Sequence, residues 1–395
     1  MTGGAIEAEV AVIGAGIIGA SCAWHLAAAG IRTVLLDASG PAAGSSGACD
    51  GYVSVSTKTS ATALDLAAAS QALYPALVAR LPGRTEFETC GGLLLIEDEA
   101  DEPAVAAHAE AVRGRGLDVR LVGRAELAAL EPGIAPGMRG AAFAPGEAKV
   151  NPYAMTLALV AGAQGLGART LWPARVDAVE RIGARIAGLS TTAGMVRAEQ
   201  YVFAAGAASA ALGALAGVVL PVEPRRGELA VTERTAAAPR RVLVSGRYLA
   251  AKSRPEAAAG DADAETRLGY GFVAETTATG QCVLGSTRVF AGFGRTVSPE
   301  GLATIIAGAL RRYPALAGTR VLRAFAGLRP FVPDQKPLIG RSRILDNLIV
   351  ATGHEGDGIT LAPITGRAVA ALAAGRTPEI DLSPFDPDRF TPCQP

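Results

Sequence analysis

The fold is decided by the stretch Val10-Ala-Val-Ile-Gly-Ala-Gly-Ile-Ile-Gly19, and Val34-Leu-Leu-Asp37 closes the same unit. Its order predicts a strand, a glycine turn, a helix and a second strand that ends in a carboxylate. Gly14 permits a tight turn, Gly16 lets the backbone approach a pyrophosphate, and Gly19 lets helix and strand pack closely. The unit therefore predicts a dinucleotide-binding turn.

The start of the predicted helix is the part of this unit that would meet the phosphates. Free N–H groups and the positive end of the helix dipole attract anions there, and Asp37 is placed to bind ribose hydroxyls. We predict that Ile17, Ile18 and Ala38 also lie against the ligand. From these residues alone, an ordinary βαβ crossover stays open as the alternative. If a dinucleotide binds, it is either FAD or a nicotinamide.

Length and composition bound the class of protein. The chain has 395 residues, which exceeds one ordinary core and favours two domains or one large composite unit. Hydrophobic residues make up 50% of it, and 37 Lys and Arg balance 37 Asp and Glu. A chain without net charge gives no electrostatic argument for nucleic acid or an anionic membrane surface, so neither is expected as a partner.

Cysteine and histidine are too few and too scattered for a metal site. The five cysteines include no C-x-x-C pair, and there are three histidines. This argues against structural zinc, an iron–sulfur cluster and a disulfide framework, so no metal is expected. No signal-peptide pattern opens the sequence. The uncharged run 201–220 predicts a strand, a turn and a helix rather than a membrane span, and we expect a cytoplasmic protein.

The middle of the chain alternates predicted helices and strands. Residues 63–80 and 298–313 have the patterns of helices, and a block of strands fills 221–289. The polar, alanine-rich segment 254–267 interrupts that block, and we predict a surface loop between two strands there.

A second glycine-rich turn lies near the C-terminus. Residues 347–352 predict a strand, a helix follows, and the turn Gly353-His-Glu-Gly-Asp-Gly358 joins them. Free N–H groups from Gly358 to Thr360, including that of Ile359, would stabilise negative charge on a reduced flavin ring placed there. From this segment alone, a simple packing turn is the alternative.

Six motifs occur in order and carry a family resemblance: Val12-Ile-Gly-Ala-Gly-Ile-Ile-Gly19, Gly44-Ser-Ser-Gly47, Val202-Phe-Ala-Ala-Gly206, Ala326-Gly-Leu-Arg-Pro330, Pro337-Leu-Ile-Gly340 and Gly353-His-Glu-Gly-Asp-Gly-Ile359. Together they resemble the D-amino acid oxidase superfamily of FAD enzymes, in its glycine oxidase-like branch. Pro224-Arg-Arg-Gly227 and the run from Gly353 to Gly366 also look like the catalytic subunits of opine oxidases and of hydroxyproline or proline dehydrogenases. The resemblance covers about residues 8 to 376.

The resemblance implies a Rossmann-like α/β domain of the glutathione reductase type that binds FAD, with an inserted α+β substrate domain built on an antiparallel sheet. Some relatives attach the flavin covalently through a histidine or a cysteine. This chain has no histidine directly after the pyrophosphate loop and no cysteine between Leu328 and Ile339, so FAD would be held without a covalent bond. We expect the FAD-binding domain at 1–80, 146–220 and 320–385, the substrate domain at 81–145 and 221–319, and a tail at 386–395.

The same resemblance implies further cofactor contacts. One loop would run alongside the pyrophosphate and reach the flavin, and it consists of Gly44, Ser45, Ser46 and Gly47. Small residues and hydroxyl donors suit a buried cofactor, and a solvated loop is the alternative. The remaining implied contacts are the backbone of Val176 at adenine, the turn of Ala205 and Gly206 under the cofactor, and Gly353, Gly356 and Gly358 in the C-terminal turn.

Arg329 matches the arginine that clamps the substrate carboxylate in glycine oxidase-like enzymes. A planar guanidinium can hold a carboxylate with two hydrogen bonds. Relatives can carry a second such arginine in the turn where this chain has Gly356 between Glu355 and Asp357. The two acids predict either a pocket for a cationic or bulkier group or caps for the following helix. Weaker pocket candidates, with packing roles as the alternative, are Tyr52, Glu275 and His354.

These features imply FAD-dependent oxidation of an amino acid amine to an imine, by hydride transfer to flavin N5. A secondary or cyclic amino acid, an opine, glycine or a D-amino acid would be the substrate. Electrons would pass to O₂ or to a partner electron-transfer subunit, in a homo- or hetero-oligomer. An NAD(P)H-dependent flavin reductase would need a second G-x-G-x-x-G after a strand, which the sequence lacks. A flavoprotein-like binding subunit without catalysis is the remaining alternative. The intact loop 44–47 and the presence of Arg329 argue against it.

Overall fold

The structure is a computed structural model that describes residues 5–247 and 263–391. Most of the predicted loop 254–267 lies outside the described residues. Its last residues, Ala264–Arg267, form a short helix instead of a loop, because the Asp263 side chain accepts a hydrogen bond from the backbone N–H of Thr266 at 2.8 Å. The strands on either side of the segment are Val242–Ser245 and Val273–Thr276.

The first strand, Ile6–Ile13, lies inside an eight-stranded sheet and pairs in parallel with strands on both sides. Val10 and Val12 pack into one core, and Ala11 and Ile13 pack into the core on the opposite face. Burial on both faces explains why this strand is a continuous apolar run instead of an alternating one. The other strands of the sheet are Thr33–Leu36, Arg169–Leu171, Val176–Ile182, Arg185–Thr191, Gly194–Phe203, Leu338–Arg341 and Leu348–Thr352.

Three helices cover one face of this sheet: Ile17–Ala28, Pro152–Gly165 and Gly358–Ala373. The first and last approach closely, since the Ser21 hydroxyl donates a hydrogen bond to the carbonyl of Ala362 at 2.7 Å. The N-terminal and C-terminal glycine turns are therefore brought to the same place, although more than 300 residues separate them along the chain.

A nine-stranded sheet forms the second layer of the molecule. Its longest ladder joins Glu223–Thr232 to Val321–Phe331 in antiparallel register, with Arg225 opposite Arg329. The beginning of the predicted segment 320–385 thus contributes a strand to this sheet, whereas the rest of the segment contributes to the other one. The other strands are Gly92–Ile96, Arg120–Gly123, Gly140–Ala144, Val242–Ser245, Val273–Thr276, Cys282–Gly285 and Val289–Phe290.

Short elements complete the described chain. Tyr52–Val53, Glu88–Thr89 and Ala148–Lys149 form a three-stranded sheet. The remaining helices of more than four residues are Ala61–Gln71, Tyr74–Val78, Glu102–Arg113, Arg124–Leu130, Ser209–Ala216 and Pro299–Arg312.

Two segments test the local predictions. The helix predicted over 63–80 is two helices, Ala61–Gln71 and Tyr74–Val78. Pro75 lies in the first turn of the second one, where proline is tolerated because it lacks an N–H. The run 201–220 is a strand end, a turn and the helix Ser209–Ala216, as predicted. Across the two described ranges, no helix combines the length and the apolar character that crossing a membrane requires.

Candidate active site

A cavity of about 540 Å³ lies where the two glycine turns meet the nine-stranded sheet. Its walls come from N-terminal, middle and C-terminal segments. The residues proposed from the sequence that line it are Gly14, Gly16, Ile17, Ile18, Asp37, Ala38, Gly44, Ser45, Ser46, Tyr52, Val176, Ala205, Gly206, Arg329, Gly353, His354, Gly356, Gly358 and Ile359.

Four other proposed residues do not line this cavity. A Cβ on Gly19 would lie 1.8 Å from the carbonyl oxygen of Gly14, and one on Gly47 would lie 2.3 Å from that of Ala42. Both glycines therefore permit close backbone packing behind the cavity. The Thr360 hydroxyl accepts a hydrogen bond from the backbone N–H of Ser54 at 3.1 Å, and Glu275 is buried behind the loop that contains Gly51.

The N-terminal turn has the backbone that its glycines predict. Gly14 has a φ of +110°, and a Cβ there would lie 2.3 Å from the carbonyl oxygen of Ala204. The Ser46 hydroxyl accepts from the N–H of Ile17 at 2.8 Å, which joins the serine loop to the helix N-terminus. Asp37 is fixed as well, because its Oδ2 accepts from the N–H of Ala15 at 2.8 Å.

These walls fit FAD. Backbone without a Cβ lines the cavity at Gly16, Gly44 and Gly206, and side-chain hydroxyls lie at Ser45 and Ser46. The helix that begins at Ile17 has no acidic residue in its first turn, so its positive end is not neutralised there. The helix that begins at Gly358 has an acid, Asp357, at its N-cap, and this acid pairs with Lys58. The cavity volume lies within the range of cofactor sites.

Arg329 lies at the cavity on the strand Val321–Phe331, and 14% of its side chain is exposed. Its Nη1 donates to the carbonyl of Thr287 at 2.9 Å, and its Nη2 donates to the Ser286 hydroxyl at 2.6 Å. The Glu355 carboxylate lies 3.8 Å from its Nε. Contacts on three sides fix the guanidinium plane, and a fixed plane is what orientation of a carboxylate requires.

The two acids of the C-terminal turn neutralise buried cations. Glu355 lies 2.5 Å from Nη2 of Arg225, and both side chains are nearly inaccessible to solvent. Asp357 lies 3.0 Å from the buried ammonium of Lys58. Asp357 is the N-cap residue of the last helix, but its side chain makes no capping hydrogen bond. The helix-capping role considered from the sequence is therefore wrong for Asp357, whose partner is Lys58.

Tyr52 and His354 reach the cavity wall, and hydrogen bonds engage the Tyr52 hydroxyl and one ring nitrogen of His354. The Tyr52 hydroxyl donates to Glu147, and burial, followed by the nearby Glu147 charge, raises its pKa. The His354 ring nitrogen Nε2 lies 3.0 Å from the Thr365 hydroxyl, and burial lowers its pKa to about 3. His354 is therefore neutral near pH 7, and neither side chain is poised to move a proton there.

Asp50 is a cavity residue that the sequence analysis did not single out. It is the next-to-last residue of the small-residue loop 40–51, so an acid among glycine, alanine and serine was the available signal. The N–H of the next residue, Gly51, donates to Oε1 of Glu275 at 2.8 Å. Cys49, Phe293 and Arg295 also line the cavity and lack a motif that would identify them.

A family model described as FAD-dependent oxidoreductase, DAO, matches residues 9–372. The chain belongs to the DAO family of FAD-dependent oxidoreductases. It is therefore an FAD enzyme that acts on amino acids or amines, and the choice between FAD and a nicotinamide is settled in favour of FAD.

The relatives and solved structures agree on the glycine oxidase-like branch of the DAO family. The chain is 32% identical over 387 residues to glycine oxidase of Pseudomonas aeruginosa, covering 96% of this chain and 98% of that protein. It is 28% identical to the hydrogen cyanide synthase subunit HcnC of Pseudomonas protegens, covering 97% and 96% of the two chains. The crystal structure of glycine oxidase from Geobacillus kaustophilus superimposes with a TM-score of 0.87 at 27% identity, covering 97% of this chain and 99% of that one. The fold predicted from the sequence is confirmed.

Proposed function

We propose that this enzyme oxidises the amine of a carboxylate-bearing amino acid, a secondary or cyclic one in preference to a primary one, by hydride transfer to FAD held without a covalent bond. The observation that carries the proposal is the fixed guanidinium of Arg329 in the same cavity as the dinucleotide turn. A carboxylate bound there would place the α-carbon of the substrate inside the cavity. The similarity to glycine oxidases supports the reaction class.

Each part of the cavity has a role in this proposal. The positive end of the helix that begins at Ile17, with the backbone of Gly16 open to the cavity, would hold the pyrophosphate, and Asp37 would bind the ribose. Arg329 would bind the carboxylate and orient the α-C–H bond. When bound, FAD supplies the hydride acceptor. The substrate amine must be neutral when the hydride leaves, and a non-cyclic imine product would hydrolyse in water.

The electron acceptor is the second part of the proposal. The electrons pass either to O₂ or to a partner protein, and in the second case the enzyme is part of a hetero-oligomer. The similarity to HcnC supports the partner, since that relative is named as a subunit of a synthase. Oxygen consumption by the purified single chain, compared with reduction of an artificial dye, separates the two acceptors. We also propose the domain boundaries given above, with the strand Val321–Phe331 bridging to the substrate sheet.

Anaerobic titration of the flavin absorbance tests the reaction. Proline, hydroxyproline, sarcosine, glycine, D-amino acids and opines form the panel, and we expect at least one secondary amine to bleach the flavin. Arg329→Ala should raise the KM for that substrate about a hundredfold or more, because a charge-assisted bidentate contact is lost, while FAD stays bound. Arg323→Ala is the matched control, since Arg323 is exposed on the same strand and lies outside the cavity.

Two results would contradict the proposal. Unchanged kinetics of the Arg329→Ala enzyme would remove Arg329 from the substrate site. A flavin that no amine of the panel bleaches would favour the alternative of a binding subunit without catalysis.

A further inference from the structure

The Asp50 carboxylate stands in the cavity wall without a cationic partner. Within residues 5–247 and 263–391, its side chain takes part in one hydrogen bond, accepted from the N–H of Tyr52 at a long 3.5 Å, and in no ion pair. Two other acids near the site have cationic partners, since Glu355 pairs with Arg225 and Asp357 with Lys58. An unpaired carboxylate in a binding cavity is a subsite for a cation.

Asp50 and Arg329 act on the same small volume. The Cys49 thiol adjoins Asp50 and lines the cavity. Burial raises the pKa of this thiol, the Asp50 and Glu275 charges raise it further, and the Arg329 charge lowers it. The geometry brings the two charges to one side of the cavity. A Cβ on Gly327 would lie 2.2 Å from the Ala48 carbonyl oxygen, and one on its strand partner Gly227 would lie 2.2 Å from Nη1 of Arg329, so the loop of Asp50 packs beside the guanidinium. An amino acid presents the complementary pattern, a carboxylate and an ammonium separated by one carbon.

Glu275 supports the loop of Asp50 from behind. Only 5% of the residue is exposed, and its Oε1 accepts from the N–H of Gly51. Its Oε2 is buried with no hydrogen-bond partner in the described part of the chain. Burial and the Asp50 charge raise the pKa of Glu275 to about 8, against the opposing effects of the Gly51 N–H and of Lys149. Glu275 therefore holds a proton near pH 7 and adds no second buried charge beside Asp50.

We propose that Asp50 binds the protonated amino nitrogen of the substrate and accepts its proton before the hydride leaves, while Arg329 binds the substrate carboxylate. Glu275 is then a positioning residue that holds the Asp50 loop through Gly51. This inference deepens the proposed function and rests on it for the nature of the ligand. It assigns the discrimination between amino acids and plain carboxylates to one side chain.

The test measures ligand binding to the FAD-loaded enzyme by perturbation of the flavin absorbance, so that it does not require turnover. Proline is compared with cyclopentanecarboxylate, which has the same shape and carboxylate but no nitrogen. In the Asp50→Asn enzyme we expect the Kd for proline to rise about tenfold or more, since a charge-assisted hydrogen bond is lost. The Kd for cyclopentanecarboxylate should stay within about twofold. Asp65→Asn, at an exposed helix position outside the cavity, is the matched control.

A separate pair of variants tests the role of Glu275. Glu275→Ala removes the acceptor for the N–H of Gly51 and should weaken proline binding without weakening cyclopentanecarboxylate binding. Glu275→Gln keeps a side-chain oxygen and should restore proline binding. Flavin absorbance after gel filtration shows that each variant still holds FAD. Loss of both ligands together, or no rescue by glutamine, would overturn the positioning role.

Three results would overturn the assignment of Asp50. The first is an equal change in Kd for proline and cyclopentanecarboxylate in the Asp50→Asn enzyme, and the second is a native enzyme that binds neither ligand. The third is a loss of binding confined to amino acids with a cationic side chain, which is tested by comparing arginine with norleucine. An enzyme that binds proline through Asp50 but is not reduced by it would refute the proposed oxidation and support the subsite.

Discussion

Glu275 is a buried carboxyl group whose two oxygens have unequal surroundings. Oε1 accepts a backbone hydrogen bond, whereas Oε2 has no partner among the described residues. The groups whose charges act on it or respond to it are Asp50, Lys149, Cys49, Cys90 and Cys282. Ionisation at this place costs free energy because burial removes the carboxylate from solvent and the Asp50 charge repels it.

This raised pKa predicts a pH-dependent stability. In the folded chain the pKa of Glu275 is about 8, whereas in the unfolded chain its pKa returns to the ordinary value of 4.5. The folded state thus binds more protons between these values, and its free energy of unfolding falls as the pH rises from about 5 through 8. In the Glu275→Gln protein this side chain cannot ionise. Its Tm should therefore fall by a few degrees less over this range than the Tm of the native protein. Thermal unfolding from pH 5 to 9 measures it, and parallel Tm curves for both proteins would refute it.

Residues of the site differ in how visible they are in the sequence. Arg329 is recognisable from its motif, but its fixed orientation depends on Ser286, Thr287 and Glu355, which no spacing connects to it. Asp50 lies in a loop without a motif. Such pairings are set by the tertiary fold, so they could not be predicted from local pattern.

At the scale of elements, the N-terminal strand, turn and helix follow their sequence closely. The helix predicted after the glycine turn is observed as Ile17–Ala28. Local rules suffice here, since glycine geometry and apolar burial determine the unit. The strand Val321–Phe331 is a different case, because its pairing with Glu223–Thr232 joins segments about a hundred residues apart and left no local signal.

The turn itself gives a prediction at this scale. Gly14→Ala should abolish FAD binding or prevent folding of the first unit, because the new Cβ would lie 2.3 Å from the Ala204 carbonyl oxygen at a φ of +110°. Gly137→Ala is the control, since Gly137 has open space around it. Flavin content of the purified proteins and their circular dichroism spectra measure the effect. A Gly14→Ala protein with full flavin content would show that the turn tolerates a side chain.

At the scale of the whole molecule, the cavity is assembled from parts of the chain that lie far apart. The turn near Gly14, the turn near Gly206, the strand with Arg329 and the turn from Gly353 to Gly358 meet at one cavity. The sequence supplied these pieces through the family resemblance. Their convergence follows from the sheet order, in which Gly194–Phe203 lies between Ile6–Ile13 and Leu348–Thr352.

A ligand bound by all these segments should stabilise the folded chain as a unit. FAD that binds the folded state alone contributes about 2.7 kcal/mol at a concentration one hundred times its Kd. For a chain of 395 residues this corresponds to a rise in Tm of roughly 3 °C. Calorimetry of the apoenzyme should show this rise on addition of FAD, increasing with its concentration, and no rise with NAD. Asp37→Ala should reduce the rise, because the carboxylate proposed to bind the ribose is gone. An apoenzyme with an unchanged Tm at saturating FAD would mean that the cavity does not join these segments through the cofactor.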